Sequence, residues 1–379
     1  MSQKVSIFVV MYNTNVSMMK RLFTLCCVVA MAAWLFSASA EGKSQRQHRV
    51  YGVAFYNLEN LFDTINTNGS YDLEFSPNGN RQWDTRKYQS KLHNLAYAIS
   101  QMTTATTPKG PAIIGVSEIE NKSVLDDLVS DPQISAWNLQ VVHHDSPDRR
   151  GVDVALLYNP RFFRFESVTN HTLVIEGKPE FRTRDQMCVT GMLGNKRVSV
   201  IVNHWPSRLG GQEQSSYLRE AAAALSKHIA DSVWAIDPQR GVIIMGDLND
   251  DPDDRSTRQV LGAKKSSSEV TNPHGFFNPW WSILRDKGIG TLAYKSAWNL
   301  FDQIIISGNL LEENCGEDDM RYFKAMVHNH DFLIDKNGSR QGYPLRTYSS
   351  GVWLDGYSDH FPTEIFLKQP VNVSNNNSR

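Results

Sequence analysis

Cysteine, net charge and long polar linkers are all scarce in this sequence of 379 residues. Cysteine occurs four times, and Cys26 and Cys27 fall within an apolar stretch near the N-terminus. The other two, Cys188 and Cys315, give no zinc-site spacing and leave a single disulfide or two free thiols as the alternatives. A formal net charge of −1 provides no broad basic field for nucleic acid, although a local basic groove remains compatible with it. From Arg49 to Leu367 there is no low-complexity linker, fixed-period repeat or abrupt shift in composition. That excludes a solenoid and favours one domain, for which 41% hydrophobic and 10% aromatic content supply a large core.

The N-terminal segment reads differently. Met19 to Ala40 carries Lys20 and Arg21, then an apolar run, then Ala38-Ser39-Ala40 as a small-residue cleavage site. The expectation is a signal peptide over 1–40, with the true start at Met18 or Met19 and cleavage before Glu41. The protein would then be exported to the periplasm or the extracellular space. A membrane anchor is the alternative, but the run is short and ends in small polar residues. Phe23-Thr24-Leu25 before Cys26 argues against a lipid anchor. Residues 1–40 hold Lys4, Lys20 and Arg21 of the 39 cations and no acid, so 36 cations would face 40 acids, a net of −4. A linker over 41–49, a folded domain over 50–368 and a polar, disordered tail over 369–379 complete the expected organisation.

Short apolar runs recur along the domain: VYGVAFYN, AIIGVSE, VDVALLY, VSVIVNH, GVIIMGDLN, FDQIIIS and FPTEIFL. These are strand patterns. Helical periodicity separates some of them, most clearly over Tyr217–Ile236 and around Lys91, Leu92, Leu95, Ala98 and Ile99. Gly194-Asn195 reads as a hairpin turn. Strands joined by hairpins, mixed with strands joined by helices, point to an α+β fold of two mixed sheets packed face to face with helices outside.

Polar residues collect where these strands end. Asn57 follows VAFY, Glu118 follows IIGVS, His204 follows VSVIVN, Asp247 and Asn249 follow VIIMG, Asp302 precedes QIIIS, and Asp359-His360 precede FPTEIF. Each alone has a plainer reading: a turn residue for Asn57, a core histidine for His204, a cap for Asp302, a solvated acidic loop for GDLNDDPDD. Together they supply what phosphodiester cleavage needs. Carboxylate and amide oxygens hold a hard Mg²⁺ or Mn²⁺ ion, a carboxylate or histidine activates water, and further donors stabilise the phosphoryl group.

The motifs FYNLEN, SEIEN, RRGVDVALLY, NHWP, GDLN, FDQI and SDHFP, in this order from about Val50 to Leu367, resemble the endonuclease/exonuclease/phosphatase superfamily, the deoxyribonuclease I-like group. FYNLENLFD and NHWPSR look like its secreted bacterial branch. The resemblance implies a four-layer α/β sandwich with the active site at one rim of two mixed β-sheets. It implies Asn57, Glu118 and Asp359 around a Mg²⁺ ion (or Mn²⁺, with Ca²⁺ as a further option). Asp247 would orient the water or hold a second ion, and Asn249 would donate to a phosphoryl oxygen. His360 with Asp302 would take a proton from water, and His204 would serve the leaving oxygen or the phosphate. Asp153 is the candidate acidic partner of His204. Arg208, four residues beyond His204, is the candidate substrate contact, ahead of Arg182 and Arg184. Strand alternation would put Glu120 on the face of Glu118, where it would assist.

Three functions follow. The first is a nuclease acting on DNA or RNA. The second is a lipid or inositol phosphate phosphodiesterase or phosphatase of the sphingomyelinase kind, for which Trp280-Trp281 in FFNPWW would form an exposed aromatic hairpin; the stretch Asp253–Ser296 is the expected substrate-selecting insertion. The third, a binding protein without catalysis, is weakened by the intact polar set. No stable protein partner is called for, and a monomer is expected.

Overall fold

The structure of the protein, a computed structural model, describes residues 47–65, 72–294 and 296–371. The leader-like segment and nearly all of the expected tail lie outside these residues.

Strands β1 (His48–Leu61) and β2 (Ile113–Ile119) pair in parallel, which requires a crossover, and helix α1 (Thr85–Ser100) provides it. Asp84 starts that helix by accepting the Lys87 N–H. Helix α2 (Lys122–Ser130) begins at Asn121, which caps it through the Val124 N–H. Strand β3 (Gln140–His143) lies at the edge, antiparallel to β4 (Asp153–Tyr158), which itself pairs antiparallel with β2.

A second sheet follows. Strands β5 (Phe163–His171), β6 (Gln186–Leu193) and β7 (Lys196–His204) form an antiparallel meander, with Gly194 at φ 56° in the β6–β7 turn. The turn stands where the glycine–asparagine pair predicts it. Helix α3 (Gln212–Ile236) then carries the chain to β8 (Gly241–Asp247), parallel to β7. Strand β9 (Phe276–Phe277), helix α4 (Trp280–Arg285), the β10 (Leu292–Tyr294) and β11 (Ala297–Asn299) hairpin, and β12 (Asp302–Ser307) complete this half. The chain returns to the first sheet through β13 (Arg321–Val327), a small β14 (Tyr348–Ser349) and β15 (Val352–Trp353) hairpin, and β16 (Thr363–Pro370). The strand orders are β13-β16-β1-β2-β4-β3 and β5-β6-β7-β8-β12-β9. The helices outside and two mixed sheets within are the α+β sandwich expected.

Alternation along the strands separates the layers. Val200 and Val202 of β7 and Met245 of β8 share one core with Val53, Ile113 and Val116 of the first sheet. Ile201 and Ile244 face the other way, into a core with Ala222, Ile229 and Trp234 of α3. Burial on both faces explains why these strands read as continuous apolar runs. Gly115 marks a close approach of the sheets, because a Cβ there would collide with Met245 Sδ. Among the described residues, no helix is long and apolar enough to cross a membrane.

The FFNPWW stretch is no exposed hairpin. Phe276 and Phe277 form β9 beside β12, Trp280 is fully buried, and its indole N–H donates to the Ile304 carbonyl at 3.0 Å. A hydrogen-bonded indole in a dry core stabilises the sheet edge rather than a membrane contact. Trp280→Ala should therefore lower unfolding free energy by about 3–5 kcal/mol, read from denaturant melts. A stability change within experimental error would mean that the indole is not packed as described.

Candidate active site

Parallel pairing brings the carboxyl ends of β1 and β2 together, and likewise those of β7 and β8. In the second sheet Asp247 lies opposite both His204 and Asp302 in register. Thr363 opens β16 opposite Phe55, which sets Asp359 and His360 beside the end of β1. All the strand-end residues therefore meet at one rim.

Asp247 is the hub. Asn57 Nδ2 donates to its Oδ2 at 3.0 Å, His204 Nε2 lies 3.7 Å from that oxygen, and His360 Nε2 lies 3.8 Å from it. The other oxygen, Oδ1, accepts the Asn249 N–H at 3.0 Å. Asp302, fully buried, holds His360 Nδ1 at 2.7 Å. Ser358 ties the site to β1 by donating its hydroxyl to the Asn57 carbonyl and accepting the His360 N–H. Glu118 Oε1 is 3.9 Å from His204 Nε2 and 3.3 Å from Arg150, and its Oε2 accepts the Asn60 N–H at 3.1 Å. Asp359 Oδ1 lies 3.9 Å from His360 Nε2, while Oδ2 accepts from Arg346 at 2.7 Å.

The local backbone is unusual at these points. Glu59, Asn60, Glu118 and Asn249 all have φ between 48° and 58°, the left-handed region that side chains with a Cβ seldom adopt. Next to them, Gly246 at φ 154° lies against the Asn203 carbonyl, where a Cβ would collide. The strands end in sharp bends, and the bends aim the polar side chains inward.

Burial and charge separate the two histidines. Burial pulls the His360 ring down, but Asp302 beside it, with Asp247 and Asp359, outweighs burial and holds it well above the ordinary histidine range. His204 goes the opposite way: burial, then Arg184, Arg150 and His360, push it well below. Burial raises Asp247 to about 6, with His360 opposing and Asp302 adding. Burial also raises Asp359, yet His360, Arg346 and Lys91 prevail and its carboxyl stays below the usual range.

Two groups of side chains among the described residues offer ligand atoms within 4.8 Å of one another: Asp247, Asp302 and His360 at this rim, and His143, Asp145 and Asp153 farther along it. The two carboxylates of the first group fit a divalent cation. They crowd one spot, and Asp302 Oδ1 is buried without a hydrogen-bond partner. This grouping differs from the Asn57, Glu118 and Asp359 set read from the motifs, because Asn57 presents its amide nitrogen to Asp247 and its oxygen to the Glu59 N–H.

Three expectations change. Asp153 is no partner of His204; it lies 3.0 Å from His143 Nε2 and accepts from Ser146. Buried His204 Nδ1 has no hydrogen-bond partner among the described residues. Arg208 turns away from the rim, donating to the Asn249 carbonyl at 2.8 Å and to Asp254 at 2.7 Å, so it braces the GDLN loop. Asp250 and Asp251 in that loop are buried rather than solvated, bound to Arg219 and the Leu300 N–H. Glu120 does not share the face of Glu118: the register shift at Glu118 breaks alternation, and Glu120 accepts the Asp63 N–H at 2.8 Å.

Sequence reading missed a supporting network. Arg346 bridges Asp359 and Glu59, and Glu59 accepts the Thr347 N–H at 2.7 Å. Lys91 donates to Thr347 and to the Tyr357 carbonyl, both at 2.6 Å. Burial lowers its ammonium to about 8, against Glu59, Asp359 and Glu118. A signal existed for Lys91, a lysine on the apolar face of its helix. For Arg346 there was none. Cys188 and Cys315 are free thiols.

Comparison with known proteins follows the geometry. Residues 52–369 match the Endonuclease/Exonuclease/phosphatase family. No curated protein matches the sequence. Among solved structures, humanized Danio rerio TDP2 aligns at a TM-score of 0.52 and 10% identity, covering 84% of this chain and 99% of that one. D. rerio TDP2 complexed with single strand DNA product aligns at 0.50 and 11%, covering 84% and 98%. A family member from Bacteroides thetaiotaomicron aligns at 0.49 and 16%, covering 86% and 100%. The two of these likenesses that reach 0.5 are both to D. rerio TDP2. They overturn the expected secreted bacterial branch and, with it, the expected periplasmic or extracellular location.

Proposed function

Because the chain belongs to the endonuclease/exonuclease/phosphatase family and is a metal-dependent phosphoric ester hydrolase, we propose that it hydrolyses nucleic-acid phosphodiester bonds with Mg²⁺ or Mn²⁺. The observation that carries the reading is Asp247 set between two histidines of opposite charge state. A sugar alkoxide is a poor leaving group, so its ester needs both a base for water and donors on phosphorus-bound oxygen. The complex of D. rerio TDP2 with a single-strand DNA product supports the choice of substrate.

A bound divalent ion supplies Lewis-acid polarisation of a phosphoryl oxygen, with Asp247, Asp302, Glu118 and Asp359 as its candidate holders. Asp247, ionised at neutral pH, accepts the proton of the attacking water. His360, kept protonated by Asp302, donates to a phosphoryl oxygen; this replaces the base role read from its dyad, since a charged ring has no lone pair free to take a proton. His204, neutral, orients the phosphate, and the Asn249 amide presents a second donor. Asn57 holds Asp247 in place.

Product release from plasmid DNA, single-stranded DNA, RNA, sphingomyelin vesicles and bis(p-nitrophenyl) phosphate, each with Mg²⁺, Mn²⁺ or EDTA, tests this. Polynucleotide cleavage that EDTA abolishes is the expected result. Cleavage of sphingomyelin with polynucleotides left intact would refute it.

A further inference from the structure

Beside the site, at the same rim, lies a recess of about 470 Å³ lined by Arg149, Lys178, Pro179, Glu180, Phe181 and Arg182. Topology puts it there. The β3–β4 loop ends at Asp153, in register with Ile119 at the end of β2, and carries Arg149 next to Arg150, which touches Glu118. The β5–β6 loop ends at Gln186; Met187 pairs with Val202, two residues before His204. Arg184 joins the two loops, donating to Asp148 at 3.1 Å and to the His204 and Trp205 carbonyls. One loop comes from each sheet, so the recess opens only where both sheets meet.

Its charge is net positive, three cations against one acid. Arg149 donates to the Glu180 carbonyl, Arg182 to the Pro179 and Phe181 carbonyls, and Lys178 to the Tyr217 hydroxyl while lying over that ring. Among the described residues, none of the three cations forms an ion pair, although the exposed Glu180 shares the lining. All three are exposed, and half-buried Phe181, packed against the core under α3, shares the lining. Cations held open by backbone carbonyls beside the Phe181 ring suit a polyanionic strand, one of whose bases can stack there.

We propose that this recess is a strand-binding subsite, which holds phosphates flanking the scissile bond and so selects a single-stranded polynucleotide over a lone phosphoester. The proposal rests on the nuclease reading above. Arg149, Lys178 and Arg182 are binding residues; the reacting phosphate stays with Asp247 and the histidines.

The test combines Arg149→Ala, Lys178→Ala and Arg182→Ala in the full chain, with melting curves to check folding. For a single-stranded oligodeoxynucleotide, KM should rise roughly tenfold or more. The slope of log binding affinity against log salt should flatten by about 2, at about 0.7 per phosphate contact. Turnover of bis(p-nitrophenyl) phosphate, too small to reach the recess, should not change. If the parent protein cuts the oligonucleotide and the triple variant shows the same KM and salt slope, the recess is overturned while the nuclease reading stands. If the parent cuts only the small diester, the nuclease reading fails and takes the recess with it.

Discussion

His360→Ala should lower kcat by about 10²–10³-fold, the scale for removing one preorganised donor from a developing anion. Asp302 acts chiefly through His360 Nδ1, 2.7 Å away, its other oxygen being the candidate hold on the ion. Asp302→Asn should therefore reproduce most of the loss, and the double variant should lose little more than the worse single one. Strictly additive losses would show that the two residues act separately. The pH profile gives a second reading. Activity that needs the protonated ring persists into alkaline solution and falls as pH rises through the raised His360 value. His360→Asn should remove that limb. A packed core histidine would instead lower the melting temperature and spare the rate per folded molecule.

Glu118→Gln should abolish most of the metal response. Weakening a contact that only orients a ligand costs 10- to 100-fold in metal affinity, so losing a ligand oxygen should cost about 10²-fold or more in apparent Mn²⁺ affinity, read by titration calorimetry and by activity against ion concentration. Glu120→Gln should leave that affinity within about threefold, because Glu120 binds the Asp63 N–H instead. Equal losses at the two positions would remove Glu118 from the proposed metal shell.

The sequence disclosed the site better than its supports. Strand-end residues were legible because buried strands have few reasons to end in Asp, Asn or His, and topology carries those ends to one rim. Alternation failed at Glu118 because a left-handed residue breaks the period of two, and nothing in SEIEN announces such a bend. Asp153 and Arg208 were misplaced because nearness along the chain says little about which side chain faces which across a turn. Arg346 joins Glu59 and Asp359 from a loop with no strand pattern, so only the fold could bring it in. Sheet order followed the same logic: the apolar runs gave the strands, but not that β16 closes against β1.

That closure makes the order of synthesis matter. β1, the first strand to leave the ribosome, has β16 as its antiparallel neighbour, with His48 opposite Pro370. A chain that ends before Ser358 presents one edge of β1 unpaired and has neither Asp359 nor His360 nor the Ser358 tie to Asn57. The site is therefore complete only once β16 docks, and a copy cut short before Ser358 keeps Asn57, Glu118, Asp247 and Asp302 without Asp359 or the donor His360.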